Sequence, residues 1–280
     1  MKKILILGSE GQVGSHLKEF LNNRGYAVLE FDLVRNSNED LRKLGNKKLE
    51  KLIRLSDFVF FLAFDVGGSR YLKKYQNTYD FVSNNIKLMS NTFELIKKYK
   101  KKFIFASSQM SNMTYSNYGI LKNIGERYSE LLNGIVVKFW NVYGIEKDLT
   151  KSHVITDFII KGIKNKKIDM LTNGKEVRDF LYAEDCCNGL EIIMKKFNQI
   201  KKSKKSIDLT TGRYTSILNI AKIIKKILNE KKIRVIIKPS SNVDTVQKNK
   251  KNLPNRFFFK FWKPKYTLEN GIREIINYYI

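Results

Sequence analysis

The chain has 280 residues, of which 42% are hydrophobic; this suits one large α/β domain, or one such domain with a small lobe, and excludes a disordered chain. The 53 Lys and Arg outweigh 27 Asp and Glu to give a net charge of +26, but they are spread along the whole sequence, often as pairs such as Lys97-Lys98 and Lys225-Lys226, where a polyanion site would concentrate them. Neither nucleic acid nor membrane is therefore an expected partner, while the charge favours approach of a diphosphate ligand.

The longest strongly apolar stretch, Phe58 to Phe64, falls far below the roughly 20 residues of a membrane span, and the run from Ile4 to Leu7 is too short for a secretory signal. Cys186 and Cys187 are adjacent, with Cα atoms ~3.8 Å apart, below the disulfide range. A cytoplasmic protein is expected. With no His or Cys cluster in the sequence, a metal is not expected, and the two cysteines read as core or boundary residues of a helix.

In chain order, Lys3 to Leu7 reads as a strand, and Gly8-Ser-Glu-Gly11-Gln-Val-Gly14 follows it directly. Val13 to Asn23 carries Val13, Leu17, Phe20 and Leu21 on one face and reads as a helix. Strand, glycine loop and helix in that order suit a phosphate site: glycine lets the backbone approach a pyrophosphate, and the helix start offers free N–H groups and a partial positive charge. The spacing is GxxGxxG rather than GxGxxG, and the bland alternative is a glycine-rich turn without a ligand. Tyr26 to Phe31 is a second strand, ending at Asp32, 18 residues after Gly14. A carboxylate there accepts both hydroxyls of an adenine ribose and repels a 2′-phosphate, which favours NAD over NADP, although Arg35 stands close by.

Phe58 to Ala63 is a third strand. Phe81 to Tyr99 is a long helix with Val82, Ile86, Met89, Phe93 and Ile96 in register, followed by a strand over Phe103 to Ala106, a helix over Tyr115 to Leu132 and a strand over Ile135 to Phe139. After Tyr143 the pattern loosens. Ile155 to Ile163, Ala183 to Met194 and Ile217 to Leu228 read as helices, Ile233 to Ile237 as a strand and Leu268 to Tyr279 as a last helix. The expected fold is α/β, a Rossmann-like doubly wound parallel sheet with a small C-terminal substrate lobe. Residues 1–145 form the expected NAD-binding domain and 146–280 mainly the substrate-binding lobe, with some segments returning to the first domain.

Tyr118 and Lys122 are four residues apart in a helical segment and share a face. An ammonium beside a phenol stabilises the phenolate and lowers its pKa from ~10, a cationic nicotinamide adds to this, and a phenol so tuned is a general base near neutral pH. The hydroxyl of Ser108 can orient a substrate hydroxyl toward it.

Taken with the glycine loop and Asp32, Tyr118-Gly-Ile-Leu-Lys122 resembles the "YGxSK" motif of the extended short-chain dehydrogenase/reductase family, and more narrowly of its nucleotide-sugar epimerases, dehydratases and reductases. In the same order, Phe60-Phe-Leu-Ala63 resembles "HLAA" with Phe in place of His, and Asn85 falls at the family's helix Asn. Phe103-Ile-Phe-Ala-Ser-Ser108 is similar to "FVFxSS", and Val137-Lys-Phe-Trp-Asn-Val-Tyr-Gly144 to "LRxxNVYG" with Lys138 replacing Arg. Arg178-Asp179-Phe180 with Glu184-Asp185 is similar to "RDFxxVxD", and Trp262-x-Pro264 to "GWxPxxxLxxG".

The resemblance implies cofactor contacts at Gly8, Gly11, Gln12, Val13, Gly14, Asp32, Leu62, Ala63, Tyr118 and Lys122. It implies catalysis by Tyr118, Lys122 and Ser108, and sugar-diphosphate contacts at Asn141 and Arg178. Gln109 and Met110 follow Ser108 where dehydratases carry an Asp-Glu pair, which disfavours 4,6-dehydration. Val66-Gly67-Gly68 and Ser152-His153-Val154 look like the GDP-fucose synthase and GDP-mannose 3,5-epimerase branch, whose corresponding His is an acid/base; His153 would then face the substrate, although the branch's Cys is missing. The segment from Ser108 to Tyr118 is shorter than is usual in the family.

The implied activity is an NAD-dependent oxidation and re-reduction at C4 of a GDP- or UDP-sugar, with a nucleotide-diphosphate sugar as partner and homodimerisation through the helices at 81–99 and 115–132. The alternatives are an NAD(P)H-dependent 4-keto-sugar reductase of GDP-fucose synthase type and a non-catalytic NAD(P)-binding sensor.

Overall fold

The structure is a computed structural model and describes residues 1–204, 206–246 and 252–280. The first part alternates strands and helices: β1 (Lys3–Leu7), α1 (Gln12–Asn22), β2 (Ala27–Phe31), α2 (Lys47–Leu55), β3 (Phe58–Phe61), α3 (Ser69–Tyr75), α4 (Tyr79–Lys98), β4 (Phe103–Ser108), α5 (Asn117–Leu131) and β5 (Ile135–Phe139). The remainder holds β6 (Asn141–Tyr143), α6 (Val154–Asn165), β7 (Lys167–Asp169), β8 (Val177–Tyr182), α7 (Ala183–Lys195), α8 (Phe197–Ser203), β9 (Ser206–Leu209), β10 (Tyr214–Ser216), α9 (Ile217–Glu230), β11 (Ile236–Lys238) and α10 (Leu268–Tyr279).

Six strands pair in parallel in the order β2-β1-β3-β4-β5-β9, the expected Rossmann-like sheet. Why both faces are covered is visible in β1 alone. Ile4 and Ile6 join one core with Leu17, Leu21 and Leu190, while the alternate Leu5 and Leu7 join the other with Ile53, Phe93 and Phe105. A strand whose odd and even residues are both apolar can only be satisfied between two helical layers. The layer on the first face includes α1 and α7; that on the second includes α2, α4 and α5. A third core, of Phe158, Ile220, Ile224, Ile272, Ile275 and others, joins α6, α9 and α10 under the short sheets β10-β8-β6 and β11-β7.

Several elements differ from the sequence reading. The third strand ends at Phe61, before Leu62 and Ala63, and the fourth runs on to Ser108. The strand expected at 233–237 is β11 at Ile236–Lys238, because Ile233 still closes the end of α9 by donating to Leu228 O and Val235 is drawn into the core. The elements α2, α3, α8, β6, β7, β8, β9 and β10 were not expected from the sequence. No helix among the described residues is long and apolar enough to cross a membrane.

Candidate active site

The loop after β1 has its shape because two of its glycines leave no room for a side chain. Gly8 adopts φ +88°, and a Cβ on it would lie 2.7 Å from the backbone nitrogen of Ala63. A Cβ on Gly14 would lie 1.9 Å from Gly8 O, so the first turn of α1 rests directly on the loop. Gly11 caps α1 without a side chain, and the first turn carries no acidic residue. Beneath it, Ser9 Oγ and Gln12 Nε2 are buried with no protein partner among the described residues. Val13 and Leu62 pack on the first core and Ala63 on the second, so they border the loop between β1 and β3.

Asp32 stands at the end of β2, its carboxylate accepting from the N–H groups of Glu10 (2.9 Å) and Val34 (2.8 Å). Uncapped helix N–H groups, orphaned polar atoms and an adjacent carboxylate fit a dinucleotide: the loop would hold its pyrophosphate and Asp32 its adenine ribose.

Ser108 ends β4, and Tyr118 and Lys122 occupy the first two turns of α5, whose start is capped by Ser116 accepting from Gly119 N. Ser108 Oγ accepts from Met110 N at 3.1 Å and draws the Tyr118 phenol down against burial, while Lys122 Nζ lies 5.7 Å from the centre of the Tyr118 ring. Lys122 is buried; its Nζ donates to Ala106 O at 2.7 Å and sits 3.7 Å from the centre of the Phe64 ring. The same ring meets Tyr118 edge-on at 5.7 Å.

The electrostatics correct the expectation that Lys122 by itself acidifies the phenol. Burial pushes Tyr118 up to about 12, against the Ser108 hydrogen bond, and pushes Lys122 down to about 7, against the charge of Glu126. Each group is moved toward its neutral form because desolvation outweighs the opposing neighbour, Ser108 for the phenol and Glu126 for the ammonium.

His153 precedes α6 and is partly exposed. Its Nδ1 lies 2.6 Å from Glu146 Oε1, and its backbone N–H donates to Glu146 Oε2 at 2.9 Å. Burial pushes the Glu146 carboxyl up, but bonds to His153 and Thr156 outweigh it and hold the group below its ordinary value. The 152–153 segment is seated on the loop after β3: a Cβ on Gly68 would lie 2.9 Å from Ser152 O, and Arg70 pairs with Asp157 at 2.5 Å.

Asn141 and Arg178 lie in the second sheet. Asn141 donates to Asp179 O at 3.1 Å, and Arg178 forms an ion pair with Asp244, for which a diphosphate would have to compete. Lys138, taken as a strand residue, is one, and it pairs with Glu126 at 3.2 Å. Cys186 and Cys187 are fully enclosed core residues of α7 whose thiols burial pushes upward. No group of three His, Cys, Asp or Glu that could hold a metal occurs among the described residues.

Three residues at the site were not read from the sequence. Glu126 is one helical turn beyond Lys122, a spacing that was legible. Phe64 directly follows the strand-end motif. Glu146 meets His153 across a loop, which no periodicity reports.

Residues 4–209 match the model of the NAD dependent epimerase/dehydratase family. A Methanocaldococcus jannaschii protein provisionally named UDP-glucose 4-epimerase is 25% identical, over 98% of this chain and 97% of its own. UDP-glucuronic acid decarboxylase 1 of Xenopus tropicalis is 22% identical, over 99% of this chain and 72% of its own. The structure of Bacillus cereus UDP-glucuronic acid 4-epimerase in complex with UDP-glucuronic acid and NAD superposes with a TM-score of 0.78 at 21% identity, covering 99% of this chain and 100% of that one. Because the family match takes in the glycine loop, Asp32, Tyr118 and Lys122 alike and spans well over half of the sequence, the chain belongs to the NAD dependent epimerase/dehydratase family, and its cofactor is NAD.

Proposed function

We propose that the protein is a nucleotide-sugar 4-epimerase that inverts C4 of a UDP- or GDP-sugar through a 4-keto intermediate. The relatives named for UDP-sugars favour UDP. The observation that carries the reading is Tyr118 beside Lys122, whose Nζ lies 5.7 Å from the centre of its ring, on a sheet whose glycine loop fits a dinucleotide. When bound, NAD supplies the acceptor and donor of the C4 hydride.

The chain's own residues then have these parts. Ser108 orients the C4 hydroxyl, and Tyr118 takes its proton and later returns it. The phenol needs positive charge close by to ionise near neutrality, and Lys122 is the cation at hand. The sugar ketone turns over between the two transfers, so that its other face is reduced. Arg178 and Asn141 hold the diphosphate; residues 1–145 bind chiefly the cofactor and 146–280 mainly the sugar, with segments such as α7 and β9 returning to the first domain. Exposed Tyr79 and Ile86 on α4, with Ile120, Ile124, Tyr128 and Leu131 on α5, form an apolar face that suits a homodimer.

His153, held by Glu146, favours a second reading, a 4-keto-sugar reductase of GDP-fucose synthase type in which His153 acts as acid/base. Incubation with UDP-glucose, UDP-glucuronic acid or GDP-mannose, followed by NMR of the recovered sugar, separates the two. Inversion at C4 without net change in NAD supports the epimerase. Consumption of reduced cofactor only when a 4-keto sugar is supplied supports the reductase and overturns the first reading.

A further inference from the structure

The choice between the two nicotinamide dinucleotides turns on the 2′ position of the adenine ribose, where a carboxylate suits a hydroxyl and an arginine suits a phosphate. This chain carries both, Asp32 and, three residues on, Arg35. From sequence the two compete; in the structure a third residue decides between them.

Glu39 has a fully buried side chain. It accepts from Arg35 Nη2 on Oε1 (2.7 Å) and from Arg35 Nε on Oε2 (3.2 Å), a two-point pairing that fills the guanidinium edge suited to a phosphate. The same carboxylate accepts from the backbone N–H of Asp32 at 2.9 Å and from Lys48 Nζ at 2.7 Å. One side chain thus fixes the turn that carries Asp32 and ties down two nearby cations. Lys18, on α1, is in turn paired with Glu10 at 2.6 Å and Glu30 at 3.1 Å. Burial pushes the Glu39 carboxyl up, and bonds from Lys48, Asp32 N–H and Arg35 more than offset this, so it remains an anion.

We infer that Glu39 is the residue that determines cofactor specificity: by engaging Arg35 it leaves the Asp32 carboxylate to act on the 2′ position without a competing guanidinium. The inference rests on the reading of the glycine loop and Asp32 as a dinucleotide site, and it concerns how that site rejects a 2′-phosphate.

The test is a double-mutant cycle read by equilibrium binding of NADH and NADPH, followed by nicotinamide fluorescence, with no substrate present. Wild type binds NADH more tightly than NADPH. Glu39→Gln, which removes the charge and keeps the shape, narrows that preference about tenfold, chiefly by tightening NADPH. Arg35→Gln in wild type leaves both affinities within about twofold, because the side chain is already engaged, whereas added to Glu39→Gln it cancels the gain. An unchanged preference in folded Glu39→Gln overturns the inference. So does a loss of NADPH binding in Arg35→Gln alone, a measurement on a surface arginine that stays decisive if Glu39→Gln fails to fold. A wild type that binds neither dinucleotide overturns the cofactor reading and this inference with it.

Discussion

At the scale of single residues the site is a compromise between chemistry and burial. Tyr118→Phe leaves the ring packed against Phe64 and removes only the hydroxyl, so turnover falls by roughly 10²–10⁴-fold while NAD still binds; steady-state rates beside NADH fluorescence check this. Lys122 makes the opposite kind of contribution. Its folded pKa of about 7 lies below the ordinary lysine value of 10.5, so the unfolded chain binds more protons between those values. Below pH 7 the folded protein bears the whole cost of a buried ammonium. As pH rises toward 10.5 that cost shrinks to nothing. Lys122→Met therefore abolishes turnover yet raises Tm, with the gain largest near pH 6 and fading toward pH 10, as thermal melts across pH will show.

At the scale of elements, α5 carries two unlike faces. One presents Tyr118 and Lys122, and the other leaves Ile120, Ile124, Tyr128 and Leu131 in solvent at spacings of four, four and three. Ile124→Asp is expected to yield monomer by light scattering at micromolar concentration while the single-chain fold survives; an unchanged mass would show that this face is not the contact.

The same scale shows what the sequence could tell. The strands β1, β3, β4 and β5 were legible because both of their faces are apolar, and α4 because a buried stripe runs from Phe81 to Ile96, although Ile86, expected in that stripe, lies in solvent. The strands β6, β7 and β10 were not, since three residues carry no period. Helix α2 escaped notice although Asn46 caps it by accepting from Lys48 N and Leu49 N, because four Lys and Arg in nine residues hide a stripe of Leu49, Leu52 and Ile53. In the candidate site, the placing of Tyr118 and Lys122 on one face of α5 and of Ser108 at the end of β4 was readable from motif spacing. The engagement of Arg178 by Asp244, 66 positions away, and of His153 by Glu146 depends on how loops close, which local pattern does not encode.

At the scale of the whole molecule, a net charge of +26 distributed over the surface gives a long-range field rather than a patch. A dianionic diphosphate is drawn in by that field from any side. KM for the nucleotide sugar should rise several-fold between 20 and 300 mM NaCl, as the Debye length falls from roughly 20 Å to below 10 Å, with kcat little changed; a KM indifferent to salt would show that only contact pairs matter.

The hydroxyl of Tyr279, near the end of α10, donates to Glu146 O at 2.7 Å and accepts from Glu146 N at 3.0 Å. A single phenol therefore holds the backbone of one residue at both its N–H and its C=O, and that residue bears the carboxylate which pairs with the imidazole of His153. Motion of the last helix against the third core is in this way geared to the angle of a ring at the far end of a loop, and loosening one aromatic anchor would be felt as imprecision in the histidine long before it was felt as unfolding.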